Sequence, residues 1–347
     1  MSAGYQAVQW NRAKLIYDAV LLLAVGVFVV AHVAVSARFH PPNNALDWID
    51  LRINAFGACA FTMLTVILGI GPLARLDRRF LVLLYNRRHL GVLTFLVALM
   101  HAIFMLEWFW AQGSFADLVA EMTNWSDYGR FIGFPFKALG IGALAIMLLL
   151  AVTSHDYWLA FLGPRVWKAL HMALYGAYGL AIMHVALGVM QDDRRPLIPL
   201  LLAAALAWVT ALHVLAAWRE RTVDAAATKP TDGWLVVGAP DTIPDKGARI
   251  VQADGGERIA VFRDGRQIGA LSNLCAHQHG PLGEGCIIDG LVTCPWHGYQ
   301  YQLADGRAPE PFTERLATYR VRLREGIIEV DPRALPPGTP AAIEIGA

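Results

Sequence analysis

Apolar positions in the first 220 or so residues come in long runs rather than in alternation. Runs near 15–37, 53–72, 89–110, 135–153, 167–190 and 197–217 approach the ~20 residues needed to cross a ~30 Å hydrocarbon core. Each predicts a membrane-crossing helix. Beyond Trp218 the pattern changes: from about 233, short β-branched stretches (GWLVV, RIVQA, RIAVF, GLVTC, YRVRL, IIEV) are broken by Gly, Pro and Asp. That spacing predicts a small antiparallel β domain. The expected architecture is a membrane all-α six-helix bundle (1–218), a linker (219–232), a C-terminal all-β domain (233–335) and a tail (336–347).

Composition agrees with this division. Of 347 residues, 56% are hydrophobic and 16% charged, a balance rare in soluble globular proteins. A net charge of +1, with no basic run interleaved with aromatics, gives no footprint for nucleic acid. The first apolar run is longer than a secretory signal's core and lacks a small-residue cleavage site, so a retained span is expected. No internal repeat of 20–50 residues is evident.

Loop charge predicts the orientation. Arg75, Arg78, Arg79, Arg87 and Arg88 lie between spans two and three, whereas Asp117, Glu121 and Asp127 lie between three and four. Arg12, Lys14, Arg165, Lys168, Arg219 and Arg221 fall on the arginine-rich side, and Trp108 and Trp110 close span three at the other face. The excess of basic residues marks the cytoplasm, so both termini are expected there. Arg194 and Arg195 fall on the opposite side, accompanied by Asp192 and Asp193.

The β region carries a distinctive ligand set. Cys275 and His277 form CxH, and Cys294 and His297 form CxxH, so each loop offers one thiolate and one imidazole. A Rieske [2Fe–2S] centre divides its ligands this way, thiolates on one iron and imidazoles on the other. A Cys2His2 zinc site draws on the same residue types, but zinc loops usually pair ligands of one kind. Cys286 and Cys59 read as packed thiols, and His279 lies in the first loop without an assigned role.

The run NLCAHQHGPLGEG through LVTCPWHGYQYQLADGRAPE resembles the Rieske family over about 233–332. High-potential members have two extra cysteines in a disulfide beside the cluster; Gly280 and Trp296 stand at those positions here, so the resemblance implies the ferredoxin type. It also implies that the Tyr301 hydroxyl bonds a cluster-ligating sulfur, which raises the reduction potential. A Rieske oxygenase needs a further 2-His-1-carboxylate iron domain. About fifteen residues follow the β domain, with no histidine among them, so the electron is expected to pass elsewhere.

Ionisable residues inside a membrane are costly and mark function. His89 and His101 lie in span three, His171 and His184 in span five, and His32 and His213 in spans one and six. The step from His171 to His184 rises ~20 Å along a helix without returning to one face, so a bend, eased by Gly176 and Gly179, or approach from different sides is expected. The stretches NRRHLGVLTFLVALMHA and LAVTSHDYWLAFLGPRVWKALHMALYGAYGLAIMH resemble the ferric-reductase-like transmembrane family, nearest the branch of methionine sulfoxide reductase haem-binding subunits, over roughly 50–217. That resemblance implies b-type haem between His101 and His184, with His171 at a second, cytoplasmic-side site.

The partner of His171 stays open. Oxidase-type members place a histidine where this chain has Arg87, so His89, His213, a five-coordinate haem, no haem, or flavin in its place are the alternatives. No GxGxxG between a strand and a helix is present for a fused nicotinamide domain. The expected function is electron transfer across a bacterial inner membrane, from a cytosolic reductase through the [2Fe–2S] cluster and one or two b haems to a periplasmic acceptor or reductase. A self-contained ferric or oxygen reductase and a membrane redox sensor are the rival readings.

Overall fold

A computed structural model of the chain describes residues 12–80, 83, 86–130, 133–192, 197–225, 232–252, 257–276, 280–295, 298–310 and 312–346. They form two compact units, one of the described residues within 12–71 and 86–213, the other of those within 72–83 and 214–346.

The helices are α1 (Arg12–Phe39), α2 (Ala45–Leu76), α3 (Arg87–Ala111), α4 (Phe115–Thr123), α5 (Phe136–Val152), α6 (Asp156–His171), α7 (Ala173–Asp192) and α8 (Leu197–Ala225). Among the described residues, five segments are long and apolar enough to cross a membrane: Leu15–Phe39, Ala45–Leu76, Arg87–Ala111, Val166–Gly188 and Leu197–Arg219. The remaining expected run folds as α5, an apolar helix of 17 residues that measures ~25 Å. Large apolar side chains point outward around these helices, among them Leu23, Val30, Leu148, Leu200 and Val214, as a surface facing acyl chains requires rather than one facing water.

Inside the helical unit, Leu64 and Leu68 of α2 pack with Tyr178 of α7 and Val209 of α8. The Thr65 hydroxyl lies 3.2 Å from the Tyr178 hydroxyl, and Phe61 stacks on Tyr178 at 5.6 Å. Close helix approach relies on small residues: a Cβ at Gly69 would fall 2.3 Å from the Trp208 ring. The fifth predicted run is not one helix. Its amphipathic lead-in closes α6 at His171, Met172 intervenes with right-handed helical dihedrals, and α7 begins at Ala173, so the interruption falls immediately after His171 rather than at the glycines.

The β unit holds β1 (Leu235–Gly238), β2 (Gly247–Gln252), β3 (Arg258–Asp264), β4 (Gln267–Ser272), β5 (Cys286–Ile288), β6 (Leu291–Thr293), β7 (Gln300–Gln302), β8 (Thr318–Tyr319), β9 (Val321–Arg324), β10 (Ile327–Val330) and β11 (Ile343–Glu344). They make antiparallel sheets in the orders β1-β10-β9, β11-β4-β3-β2 with β8 on β4, and β5-β6-β7. Alternate residues of β3 enter opposite cores, as a strand's two-residue period dictates. Ile259 and Val261 join Leu235, Ile268, Ile328 and Val330, while Ala260 and Phe262 join Leu271, Cys275, Cys294 and Tyr301. Two segments expected outside this domain take regular structure: α8 continues through Ala225 of the predicted linker, and β11 lies within the predicted tail. The rest of that linker up to 231 lies outside the described residues.

Candidate cofactor sites

Two hairpin-like loops position the cysteines. After β4, Leu274 bridges Pro281 and the Cys275 amide donates to the Gly280 carbonyl at 2.9 Å, closing the first loop. After β6, the Cys294 amide donates to the Tyr299 carbonyl at 2.8 Å and the Gly298 amide to the Cys294 carbonyl at 2.9 Å, closing the second. Gly285 lets the loops pack, since a Cβ there would fall 2.1 Å from the Thr293 carbonyl oxygen. Cys275 and Cys294 are each 1% exposed and share one core. His277, His279, Trp296 and His297 lie outside the described residues.

Side chains around the thiols are polar in an ordered way. The Tyr301 hydroxyl, on the fully buried middle residue of β7, lies 3.3 Å from Cys275 Sγ, the contact that the Rieske resemblance implied. Beside it, Tyr299 donates a hydrogen bond to Glu314 Oε2, and the two tyrosine rings are 5.4 Å apart. Burial, with the Glu314 bond and charge added, pushes the Tyr299 hydroxyl well above the usual phenol range, so it stays a donor. Sequence reasoning missed this pair, which no motif marks. Cys286 sits on β5 and is half-buried, whereas Cys59 is buried in α2 with its sulfur 3.8 Å from Met63 Sδ.

In the helical unit, His101 of α3 and His184 of α7 face each other with ring centroids 6.2 Å apart and planes at 82°. Each Nδ1 is held by a backbone carbonyl at 2.9 Å, Ile53 for His101 and Phe136 for His184. That leaves Nε2 as the nitrogen for a ligand, the orientation second-shell partners impose on metal-bound imidazole. Metal–imidazole bonds of ~2 Å on both sides of one ion put the ring centroids about 6 Å apart, so the gap fits a single iron with a bond to each ring. Lys137, next to Phe136, pairs with Glu121 at 2.9 Å and lies 4.6 Å from the Phe136 ring centroid.

The remaining histidines differ. His171 closes α6; its Nδ1 lies 2.9 Å from the Trp167 carbonyl, its ring stacks on Trp167 at 3.7 Å, and its Nε2 is buried with no hydrogen-bond partner among the described residues. An orphaned buried nitrogen suits a ligand. Arg88 Cζ stands 5.5 Å from the same Trp167 ring. His89 Nδ1 is 2.8 Å from both carboxylate oxygens of Asp18, an acidic residue inside the first apolar run. His213 uses both ring nitrogens, with the Val209 carbonyl at 2.9 Å and the Tyr175 hydroxyl at 2.8 Å, which counts against it as a partner for His171. His32 stacks on Phe28 at 6.1 Å.

Comparison with known proteins agrees with both halves. Residues 54–182 match the model of the ferric reductase like transmembrane component, and 233–320 that of the Rieske [2Fe–2S] domain. The protein-methionine-sulfoxide reductase heme-binding subunit of Bordetella pertussis is 31% identical over 176 residues, 50% of this chain and 78% of that protein. The anthranilate 1,2-dioxygenase ferredoxin subunit of Burkholderia cepacia is 38% identical over 102 residues, 28% of this chain and 91% of that protein. The chain belongs to the ferric-reductase-like transmembrane family and carries a Rieske [2Fe–2S] domain of the ferredoxin kind. A magnetosome protein, MamZ of Paramagnetospirillum magneticum, is 28% identical over 152 residues, 44% of this chain but 22% of its own length. Apolar spans and redox domains in one chain make this a membrane electron-transfer protein.

Proposed function

We propose that this chain carries electrons across a bacterial inner membrane, from a cytosolic reductase to a periplasmic acceptor or reductase, with its termini and Rieske domain in the cytoplasm and α5 as a sixth crossing. Cys275, Cys294, His277 and His297 would hold the [2Fe–2S] cluster, His101 and His184 a b-type haem, and His171 a second haem or a flavin. When bound, these groups supply reversible one-electron chemistry that the protein itself lacks.

The observation that carries the reading is the His101–His184 pair, two backbone-anchored imidazoles spaced for one metal, in a chain that also buries two thiols beside a tyrosine hydroxyl. Their residues do distinct work. Ile53 and Phe136 hold Nδ1 of the two histidines and leave Nε2 for a ligand, Tyr301 donates toward a cluster thiolate, and the apolar cluster around Cys275 and Cys294 keeps water from the two thiols. The acceptor best supported by resemblance is a periplasmic reductase of the methionine sulfoxide type, since a relative of the helical half is named the heme-binding subunit of a protein-methionine-sulfoxide reductase.

Iron, haem and flavin content of the purified chain, together with its visible and electron paramagnetic resonance spectra, test the assignment. One [2Fe–2S] signal and at least one low-spin haem are expected. Steady reoxidation by an added periplasmic reductase in sealed vesicles supports transfer. Reoxidation by ferric chelate or oxygen alone favours a terminal reductase, and reduction without turnover favours a sensor. A colourless protein, or zinc in the cysteine site, overturns the reading.

A further inference from the structure

Three spacings in the helical unit coincide. The Ile53 carbonyl that holds His101 lies 48 residues before it, and the Phe136 carbonyl that holds His184 also lies 48 residues before it. The glycine against each imidazole, Gly57 or Gly140, is four residues past its carbonyl. Passing from Ile53 to Phe136, from Gly57 to Gly140 and from His101 to His184 is one and the same step of 83 residues.

The four-residue step has a physical reason. Residues i and i+4 share a helix face, and the amide of i+4 already donates to the carbonyl of i. That carbonyl has a second lone pair for an imidazole N–H, but the ring must come in over residue i+4 to reach it. At Gly57 a Cβ would stand 3.0 Å from His101 Nδ1, and at Gly140 one would stand 2.9 Å from His184 Nδ1 and Cε1. Any larger residue would push the ring off its carbonyl. Both contacts bear on the ring atoms themselves, which have no flexible end to swing away.

We propose that this carbonyl, glycine and histidine arrangement, built twice with an 83-residue offset, is the device that sets the two imidazole planes nearly perpendicular, with Gly57 and Gly140 as positioning residues. The inference rests on the His101–His184 haem reading and adds what fixes the ligand planes. Each ring is tied to a different helix, α2 for His101 and α5 for His184, so the angle between the planes follows from how those two helices face α3 and α7. Perpendicular and parallel axial imidazoles differ in how they split the iron d orbitals. Perpendicular planes give a strongly anisotropic low-spin ferric signal dominated by one low-field line, and parallel planes give a rhombic signal with three resolved lines.

The test uses the full-length protein in detergent and in vesicles, reading haem per chain alongside the low-spin ferric signal. Wild type should show the single low-field line. Gly57→Ala and Gly140→Ala should each keep the haem but move or broaden that line toward a rhombic spectrum. Gly91→Ala and Gly179→Ala, where a Cβ meets nothing within 4 Å, should leave it unchanged. A rhombic wild-type signal overturns the proposal even if no variant folds, as do Gly57 and Gly140 variants that behave like the Gly91 one. His101→Ala and His184→Ala separate the two layers: if the haem survives both, the ligand reading has failed and the proposal falls with it. If both remove it while the glycine variants are silent, only the proposal has failed.

Discussion

The two cofactor regions solve the same problem with different parts of the backbone. In the helical unit the imidazoles are aimed by carbonyls of continuous helices, Ile53 and Phe136, two helical turns or more from any loop end or at the first turn of α5. In the β unit the thiols sit on tight loops closed by their own amides, and a side chain, Tyr301, supplies the polar contact. The difference teaches that a helix can orient a ligand without any recognisable side chain, whereas a loop site advertises itself in its residues. The helical arrangement is therefore expected to be stiff and all-or-none, and the loop site graded and tunable.

The largest effect expected is loss of a cofactor, one region at a time. His184→Ala should abolish the low-spin haem signal and leave the [2Fe–2S] signal at full intensity; Cys294→Ser should do the reverse, both read by electron paramagnetic resonance on the same preparations. Loss of both signals from either change would break the comparison, because the sites would then be interdependent. Next, His171→Ala should lower total haem or flavin without altering the low-spin signal of the His101–His184 pair, and His213→Phe should alter neither cofactor content nor spectrum. Loss of cofactor in His213→Phe would return that histidine to the ligand list.

Smaller effects belong to the β unit. Tyr301→Phe removes a hydrogen bond to a sulfur, for which a net contribution of ~1 kcal/mol corresponds to roughly 40 mV for one electron. The cluster potential should fall by about that amount in a redox titration while the haem potential stays put. An unchanged value would mean that the Tyr301 contact does not reach the reduced cluster. Last comes acid sensitivity. The Arg333 guanidinium, hydrogen-bonded to the buried Asp331 at 2.9 Å, holds that carboxyl below the usual carboxylate range. With the folded value depressed, the unfolded chain takes up the proton first as pH falls. The pair thus stabilises fully above the ordinary carboxylate range and loses its effect as pH drops through the depressed value. Asp331→Asn should flatten the acid limb of β-domain unfolding followed by circular dichroism.

Much of this was legible in the sequence because the signals were periodic or chemical. Apolar runs located the helices, β-branched stretches the strands, and the neighbours of Cys275 and Cys294 marked a Rieske domain down to the contact between Tyr301 and Cys275. Span count was less legible: hydropathy registers apolar length, and the 17 residues of α5 stand at the short end of what crosses a bilayer. The interruption at Met172 left no trace, since neither proline nor glycine stands there. Ile53 and Phe136 were invisible in principle, because they act through carbonyls that every residue has. The 83-residue step escaped for the same reason, its repeated members sharing geometry while only the glycines and histidines share identity. Asp18 was the missed clue, a carboxylate inside an apolar run that proves to face His89.

Strand β11 has one practical consequence. Ile343 and Glu344 pair with Ile268 and Gln267, so they shield part of the open margin of β4. An unshielded strand margin is a template on which other chains can add. A version of the protein stopped at residue 340 should thus keep its colour yet stick to its own copies, running as a larger species on a sizing column.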